Sequence, residues 1–412
     1  MENKCRIDGS ELIEVVNLGN QYFTDFVDDP TDGFKSPLKL GIGEKSGLVQ
    51  LFDMLEPEKM YRKYWYRSGI NKAMIRDLKN IVDCTKNFVN VNPGDVVLDI
   101  ACNDGTLLSN WDDNLIRIGI DPALNLRPYS EKHASYIVED FFSKENYEST
   151  FSGEVVKAKV ITSIAMFYDL PDPNWFVNEV KSCLADDGVW VIQMSYAPLM
   201  LKQNAFDNIC HEHLQYYTFT VLNNLLESHG LKVMDAELND VNSGSLRVYV
   251  SHKENKSFKL PPHTLQIGEF RVDSLINYEK SLNLTSPEPW IEFFNRVEKN
   301  KNKTIEILKD LKAQGKTIIG FGASTKGNTL LQYYEITPEL IPCIAEASPE
   351  KFGKKTIGTG IPVIDEKELA AMNPDYLFIF PWHFVEGFKR VCKDLRSNGT
   401  KFIVPLPEVY IV

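Results

Sequence analysis

Twice along this chain a short apolar run ends in a polar turn and gives way to a helical stretch, and this alternation constrains the fold most. The first series begins near residue 96. "VVLDIA" runs into "CNDGT", "IRIGID" ends in an acid, and "ASYIVEDF", "AKVITSIAMF" and "GVWVIQMS" follow, with the helical "PNWFVNEVKSCLA" between two of them. The second series is "KTIIGFGASTKGNTLLQYY", "LIPCIAEAS", "YLFIFPW" and "KFIVPLP". Alternation of this kind predicts parallel sheets with helices on their faces. Between the two series, residues 256 to about 315 are lysine-rich and helical, with apolar positions three and four apart in "WIEFFNRVEKNKNKTIEILKDLKAQG" and Gly315 as a C-cap. Residues 1 to about 80 read as irregular, because "DFVDDPTDGFKSPLKLGIGEKSGLVQLF" is rich in Gly, Pro and Asp. The expected division is a small irregular N-terminal module at 1–75, an α/β domain at 76–255, and a helical linker with a second α/β domain at 256–412.

A chain of 412 residues exceeds one ordinary core, which agrees with that division. Its hydrophobic content of 43% and charged content of 25% are those of a soluble globular protein. A formal charge of -12 argues against nucleic acid or an anionic membrane as partner, since phosphate backbones need a basic face. The first residues, "MENKCRIDGS", contain no apolar signal core, and no run of about eighteen apolar residues occurs that would span a membrane. The cysteines (Cys5, Cys84, Cys102, Cys183, Cys210, Cys343, Cys392) are scattered and form no CxxC pair. A reducing cytoplasm is the expected location. Nothing in the sequence sets the oligomeric state.

The first strand–turn carries the most specific chemistry. A dinucleotide site would place GxGxxG after the strand, so that backbone can approach a pyrophosphate. Here "VVLDIACNDGTLL" offers Asp99, then Asn103, Asp104 and Gly105, with a single glycine. Acids beside a pyrophosphate are unfavourable, whereas beside a cation they are favourable. S-adenosylmethionine carries a sulfonium and an ammonium and no phosphate. Asp121, at the tip of the second strand in "IGIDPALN", is placed to accept hydrogen bonds from ribose hydroxyls. Asp140 and Phe141, after the third strand, are candidates for bracketing adenine. This strand, acidic loop, helix, strand, Asp layout is that of a class I methyltransferase of Rossmann-like fold; the alternative is a doubly wound domain with a capped helix and no cofactor.

The stretch "FDNICHEHLQYYTF" places His211, Glu212 and His213 in a row. As a zinc site it is poor, because the histidines are two apart and no third ligand is near. It can be a polar turn bonded to backbone, or an acid/base centre at the carboxyl edge where open α/β sheets bind ligands. In the second series, "GFGASTKGN" resembles a phosphate loop but has neither GxGxxG spacing nor a full P-loop, so NAD and ATP are not expected. Lys326 and Asn328 in this loop, and Arg247 in "NSGSLRVYV", are candidates for holding a diphosphate. The alternative is that the cations are surface charges.

The chain as a whole resembles the nucleotide-sugar C-methyltransferases, which build branched deoxysugars from 4-keto sugar nucleotides. The likeness rests on "CRIDGSELIEVVNLG", "VVLDIACNDGTLL", "FDNICHEHLQYYTF", "VNSGSLRVYVSH", "GFGASTKGNTLLQYY", "GTGIPVIDEKEL", "YLFIFPWHF" and "KFIVPLPEV", in that order. It implies a zinc-held N-terminal module, a central domain binding S-adenosylmethionine, and a Rossmann-like C-terminal domain that helps enclose a nucleotide-diphosphate sugar. It also implies that His213 is the base removing the C3 hydrogen next to the C4 ketone, with Glu212 and His211 beside it. The resulting enolate needs a donor for its oxygen, for which Tyr216, Tyr217, Tyr66 or protonated Glu212 are candidates. The chain departs from the family in three places. Cys5 matches a zinc ligand, but Asp8, Gly43 and Ser46 stand at the others, so zinc is not expected; packing of Leu48, Val49, Leu51 and Phe52 should hold the module instead. Cys210 replaces a tyrosine, and Tyr168 or Asp169 stands where relatives carry asparagine and histidine. The expected activity is therefore C3 methylation. The alternatives are O-methylation of a similar sugar nucleotide, with His213 deprotonating a hydroxyl, and a noncatalytic nucleotide-sugar-binding protein.

Overall fold

The first alternating series forms the parallel centre of a seven-stranded sheet. In the computed structural model, which describes residues 4–62, 64, 66–241, 244–257 and 262–412, the strand order is Leu231–Asn239, Ser245–His252, Leu184–Ser195, Ala158–Ile164, Val96–Ile100, Ile116–Ile120, Tyr136–Val138. The last five of these pair in parallel, while Ser245–His252 is antiparallel to both of its neighbours. Val96–Ile100 is buried at every position, as expected for a strand covered on both faces. Chain order reverses on either side of this strand, which makes its carboxyl end a topological switch point. Helices Lys72–Thr85 and Pro173–Cys183 begin at side-chain caps: Asn71 accepts from the Ala73 N–H, and Asp172 accepts from the Trp175 N–H.

The second series forms a six-stranded sheet in the order Val363–Asp365, Ile344–Glu346, Ile318–Phe321, Tyr376–Ile379, Lys401–Val404, Tyr410–Ile411. All neighbours are parallel except the last pair. Its switch point follows Ile318–Phe321, and helix Thr325–Tyr334 starts there with Ser324 as cap, accepting from the Gly327 N–H. Fold class is thus α/β, with a class I methyltransferase sheet and a second Rossmann-like sheet.

The N-terminal segment is not irregular. Leu12–Tyr22, Lys35–Gly43 and Val49–Leu51 form an antiparallel sheet completed by Gln215–Tyr216 from the central domain. Register shifts between Glu14 and Val16, and between Asn17 and Asn20, break the two-residue alternation that marks a strand in sequence. Its apolar face does not close on itself. Val16, Leu18, Leu38 and Leu40 pack in one cluster with Phe293, Ile318, Leu330 and Tyr334 of the C-terminal part. Phe26–Val27 also pairs with Lys355–Thr356, and Gln332 exchanges two hydrogen bonds with the Tyr22 backbone. The first and last parts of the chain therefore share one core, to which Phe206, Leu214 and Tyr216 of the central domain also contribute. The helix expected in the linker from apolar positions three and four apart, Glu288–Ala313, buries Trp290, Phe293, Val297, Leu308 and Leu311 in that shared core.

Candidate active site

Both switch points open onto one cleft of about 1230 Å³. The floor on the central-domain side is built by backbone that turns sharply after Val96–Ile100: Ala101 and Asn103 both adopt the left-handed conformation, at φ 59° and 52°. This brings the Asn103 N–H to Asp121 Oδ2 at 2.7 Å, while Asp121 Oδ1 accepts from the Ala123 N–H at 2.8 Å. Asp99 Oδ1 accepts from the Thr162 hydroxyl at 2.6 Å. Burial pushes Asp121 up to about 6, although its backbone hydrogen bonds pull the other way. Asp99 is pushed up to about 7, again by burial, with the Asp121 charge adding to it. Asp99, Asn103, Asp121 and Phe141 all line the cleft. Two carboxylates strained toward neutrality suit a ligand that brings positive charge and hydroxyl donors.

At the other side, the N-terminal sheet props up the His-Glu-His stretch, because Gln215–Tyr216 pairs with Gln50 and Val49 immediately after it. His213 Nδ1 lies 2.8 Å from the Asn208 carbonyl oxygen. A carbonyl only accepts, so Nδ1 carries the proton and Nε2 keeps the lone pair. The ring packs edge-on against Tyr168 at 4.5 Å. Burial, followed by the Lys326 charge, lowers His213 to about 4, so it is unprotonated at neutral pH. Glu212 Oε1 accepts from the Thr24 hydroxyl and the Glu212 carbonyl accepts from the Tyr61 hydroxyl, both at 3.2 Å. Glu212 and Asp169 both line the cleft, and burial raises both carboxyls; the Glu212 charge raises Asp169 further. Glu212 Oε2 and Asp169 Oδ1 are buried with no hydrogen-bond partner among the described residues. Lys326 and His383 enter the cleft from the C-terminal sheet.

Several expected site residues are not among those lining the cleft. Asp104 instead accepts from the Gly69 N–H at 2.8 Å and the Thr106 hydroxyl at 2.6 Å, holding the segment that precedes helix Lys72–Thr85. Gly105 serves packing: at φ 77°, a Cβ there would lie 2.9 Å from Ser130 Cα. Asp140 pairs with Arg62 at 3.1 Å beside the cleft. His211 is buried against the N-terminal sheet, its Nε2 3.3 Å from the Ser36 carbonyl oxygen. Tyr216 is buried within the strand that pairs with Val49. Asn328 sits on the inner face of its helix and donates to the Asp25 carbonyl at 3.2 Å.

Arg247 is neither a diphosphate ligand nor a surface charge. It is 2% exposed, and its guanidinium is occupied by Asp77 at 2.9 Å, Glu237 at 3.0 Å, Asn80 at 2.9 Å and Gln193 at 2.7 Å. Tyr66 does line the cleft, on the central-domain side, where its carbonyl accepts from Asn103 Nδ2. Sequence reasoning missed Tyr61, Tyr64 and Thr24, which lie within the stretch read as irregular; the signal available was the density of tyrosines ahead of helix Lys72–Thr85.

The zinc of the resembling family does not fit the N-terminal module. Cys5 Sγ lies 3.1 Å from Ser46 Oγ, and Asp8 is engaged by the Ser10 N–H and hydroxyl at 2.8 and 2.6 Å. A Cβ on Gly43 would stand 2.9 Å from both Cys5 Sγ and Ser46 Oγ. One thiol, one hydroxyl and one committed carboxylate do not make a tetrahedral soft-donor set. Among the described residues, no group of three or more His, Cys, Asp or Glu is arranged to hold a metal.

Comparison with known proteins agrees with the geometry. Residues 70–236 match the family described as "Methyltransferase domain", which with the sheet order defines the chain as an S-adenosylmethionine-dependent methyltransferase. Residues 240–407 match "C-methyltransferase C-terminal domain". The two matches together span most of the chain and give it a methyltransferase domain followed by a C-methyltransferase C-terminal domain. It is similar to the C-methyltransferase NovU of Streptomyces niveus, 27% identical over 416 residues that span 100% of this chain and 97% of that protein. Solved structures with some likeness include magnesium protoporphyrin IX methyltransferase from Synechocystis PCC 6803, at 11% identity, 48% of this chain, 99% of that one and a TM-score of 0.35. Another is an S-adenosylmethionine-dependent methyltransferase from Clostridium acetobutylicum, at 14% identity, 42% and 89% coverage and a TM-score of 0.33.

Proposed function

We propose that this enzyme methylates C3 of a nucleotide-linked 4-keto-deoxysugar, with His213 as the base that removes the C3 hydrogen. The observation that carries this reading is the protonation geometry of His213. Its Nδ1–H is committed to the Asn208 carbonyl, its Nε2 is left as the basic atom, and the ring lines the cleft between the two switch points. A sugar nucleotide is supported by the resemblance carried in eight ordered motifs. It is supported also by the second Rossmann-like unit, whose Gly322–Lys326 loop lines the same cleft.

S-adenosylmethionine, when bound along Asp99, Asn103, Asp121 and Phe141, supplies the electrophilic methyl group. The chain's own residues do the rest. Asp121, fixed by two backbone N–H groups, presents its carboxylate to hydroxyl donors; Asp99 adds negative charge beneath a cationic ligand. A ketone acidifies the neighbouring C–H, yet a base must still take the proton, and a neutral imidazole is available for this over the whole physiological range. Tyr168 and the Asn208 carbonyl hold the ring in one orientation, so the base is positioned before substrate arrives.

Replacing His213 tests the reading. His213→Ala should bind S-adenosylmethionine normally and lose turnover by about 10²–10⁴, the usual share of a general base. It should also lose exchange of the sugar's C3 hydrogen with solvent deuterium, since exchange requires the same enolate. Retained exchange in this variant would move the base elsewhere. Turnover in the unaltered enzyme with no C3 exchange would point to transfer onto a hydroxyl.

A further inference from the structure

Resting on the sugar-ketone reading, we propose that Lys326 is the electrophilic partner of His213 and holds the oxygen of the C4 enolate. Lys326 is the second residue of helix Thr325–Tyr334, at the switch point of the C-terminal sheet, and lines the cleft together with His213 and His383. No hydrogen bond or ion pair among the described residues ends on its ammonium group. Asp207 is the carboxylate whose charge acts on it, but Asp207 Oδ2 accepts from Trp382 Nε1 at 3.0 Å, and among the described residues no ion pair joins a carboxylate to the lysine. Lys326 is half-buried and Asp207 offsets part of its charge, but the ammonium keeps its donors free for a ligand that brings negative charge.

Position decides which negative charge. In a hexopyranose, C1, which bears the diphosphate, and C4, which bears the ketone, are opposite corners of the ring. The base attacks at C3, next to C4. Lys326 lines the same cleft as the base, and its helix packs on the Phe206–Asn208 turn whose Asn208 carbonyl holds the His213 ring, which puts the cation on the base's side of the sugar and leaves the diphosphate to the far end. Burial and, after it, the Lys326 charge lower both cleft histidines, His213 and His383, each to about 4. The groups that face the lysine are Asp207, Cys210, His213 and His383. Of the other oxyanion candidates, Glu212 also lines the cleft with a raised carboxyl and an Oε2 unpartnered among the described residues, but a neutral acid offsets a developing negative charge less than an ammonium does; the tyrosines fit worse. The Tyr216 hydroxyl is buried outside the cleft, the Tyr217 hydroxyl donates to Gln215, and Tyr66 lies on the cofactor side.

In the step itself, His213 Nε2 takes the proton from C3. The C–H electron pair becomes the C3=C4 π bond, and the carbonyl π pair moves onto the C4 oxygen, where the Lys326 ammonium donates to it. C3 would then bond to the methyl carbon as the carbon–sulfur bond of the sulfonium breaks with its electron pair left on sulfur; the carbonyl re-forms and the lysine keeps its proton. The same cation makes His213 a weaker base and the substrate a stronger acid, and the second effect grows as charge develops on oxygen.

The test uses the full chain, Lys326→Met and Lys326→Arg, with whichever 4-keto sugar nucleotide of a panel the unaltered enzyme converts fastest. Lys326→Met should lower kcat and the C3 exchange rate together by about 10²–10³, as for a lost oxyanion donor. KM for the sugar nucleotide should stay within about threefold. The acid limb of its pH–rate profile should move to higher pH, because His213 is no longer depressed by a neighbouring cation; Lys326→Arg should keep the limb in place. Normal S-adenosylmethionine affinity and an unchanged or higher melting temperature in Lys326→Met would show an intact fold. A KM raised tenfold or more with kcat and exchange preserved would make the lysine a diphosphate anchor and overturn the proposal. Absence of exchange in the unaltered enzyme would instead overturn the sugar-ketone reading beneath it.

Discussion

Asp121 accepts two backbone N–H groups, so both of its oxygens are aimed before any ligand is present. Asp121→Ala should weaken S-adenosylmethionine binding by about 1–3 kcal/mol, the scale of hydrogen bonds to a charged group, as read by calorimetry. The neighbouring acids also set a pH dependence. Asp121 and Asp99 titrate near 6 and 7 in the folded chain, above the ordinary carboxylate value. A raised folded-state pKa stabilises the fold below the ordinary value, and that contribution is lost as pH rises through about 6 to 7. A cationic ligand relieves the loss, so the gain in melting temperature on adding S-adenosylmethionine should be larger at pH 8 than at pH 5, and Asp121→Asn should flatten the difference. His213 has the opposite sign. Its folded value is depressed, so its contribution is intact above about 6.5 and is lost as pH falls toward about 4.

At the level of elements, the parallel strands were legible because each is a buried apolar run bounded by turn residues, Val96–Ile100 above all. The strands Leu12–Tyr22 and Lys35–Gly43 were not, because bulges and glycines erase their period and their apolar face belongs to a core contributed from 300 residues away. The same distance problem hid Tyr61 and Thr24, which join the site only through tertiary contact with Glu212. Arg247 shows the converse failure: a cation after a Gly-Ser turn reads as a phosphate ligand, but its strand position turns it inward, under helix Lys72–Thr85. Arg247→Leu should therefore destabilise the chain by about 3–5 kcal/mol in chemical denaturation, because it strands the buried Asp77. Affinity of the folded variant for a sugar nucleotide should not change.

For the molecule as a whole, the N-terminal sheet braces the site by pairing with Gln215–Tyr216 and shares a core with the C-terminal unit, so the cleft is framed by parts that read as separate in the sequence. The bracing does not need metal, given the packed Cys5, Asp8 and Ser46 cluster. Elemental analysis of purified protein should find well under one zinc per chain, and chelation should leave its melting temperature unchanged. One zinc per chain that survives gentle chelation would contradict this. The most direct measurement of the account is the position of the transferred methyl group. The enzyme would be incubated with S-adenosylmethionine labelled with ¹³C in the methyl group and a panel of 4-keto-deoxysugar nucleotides, and the product read by NMR. The account predicts a labelled methyl carbon bonded to ring carbon C3 in place of the C3 proton. A labelled methyl on oxygen, or a branched product whose methyl sits on a ring carbon other than C3, would contradict it.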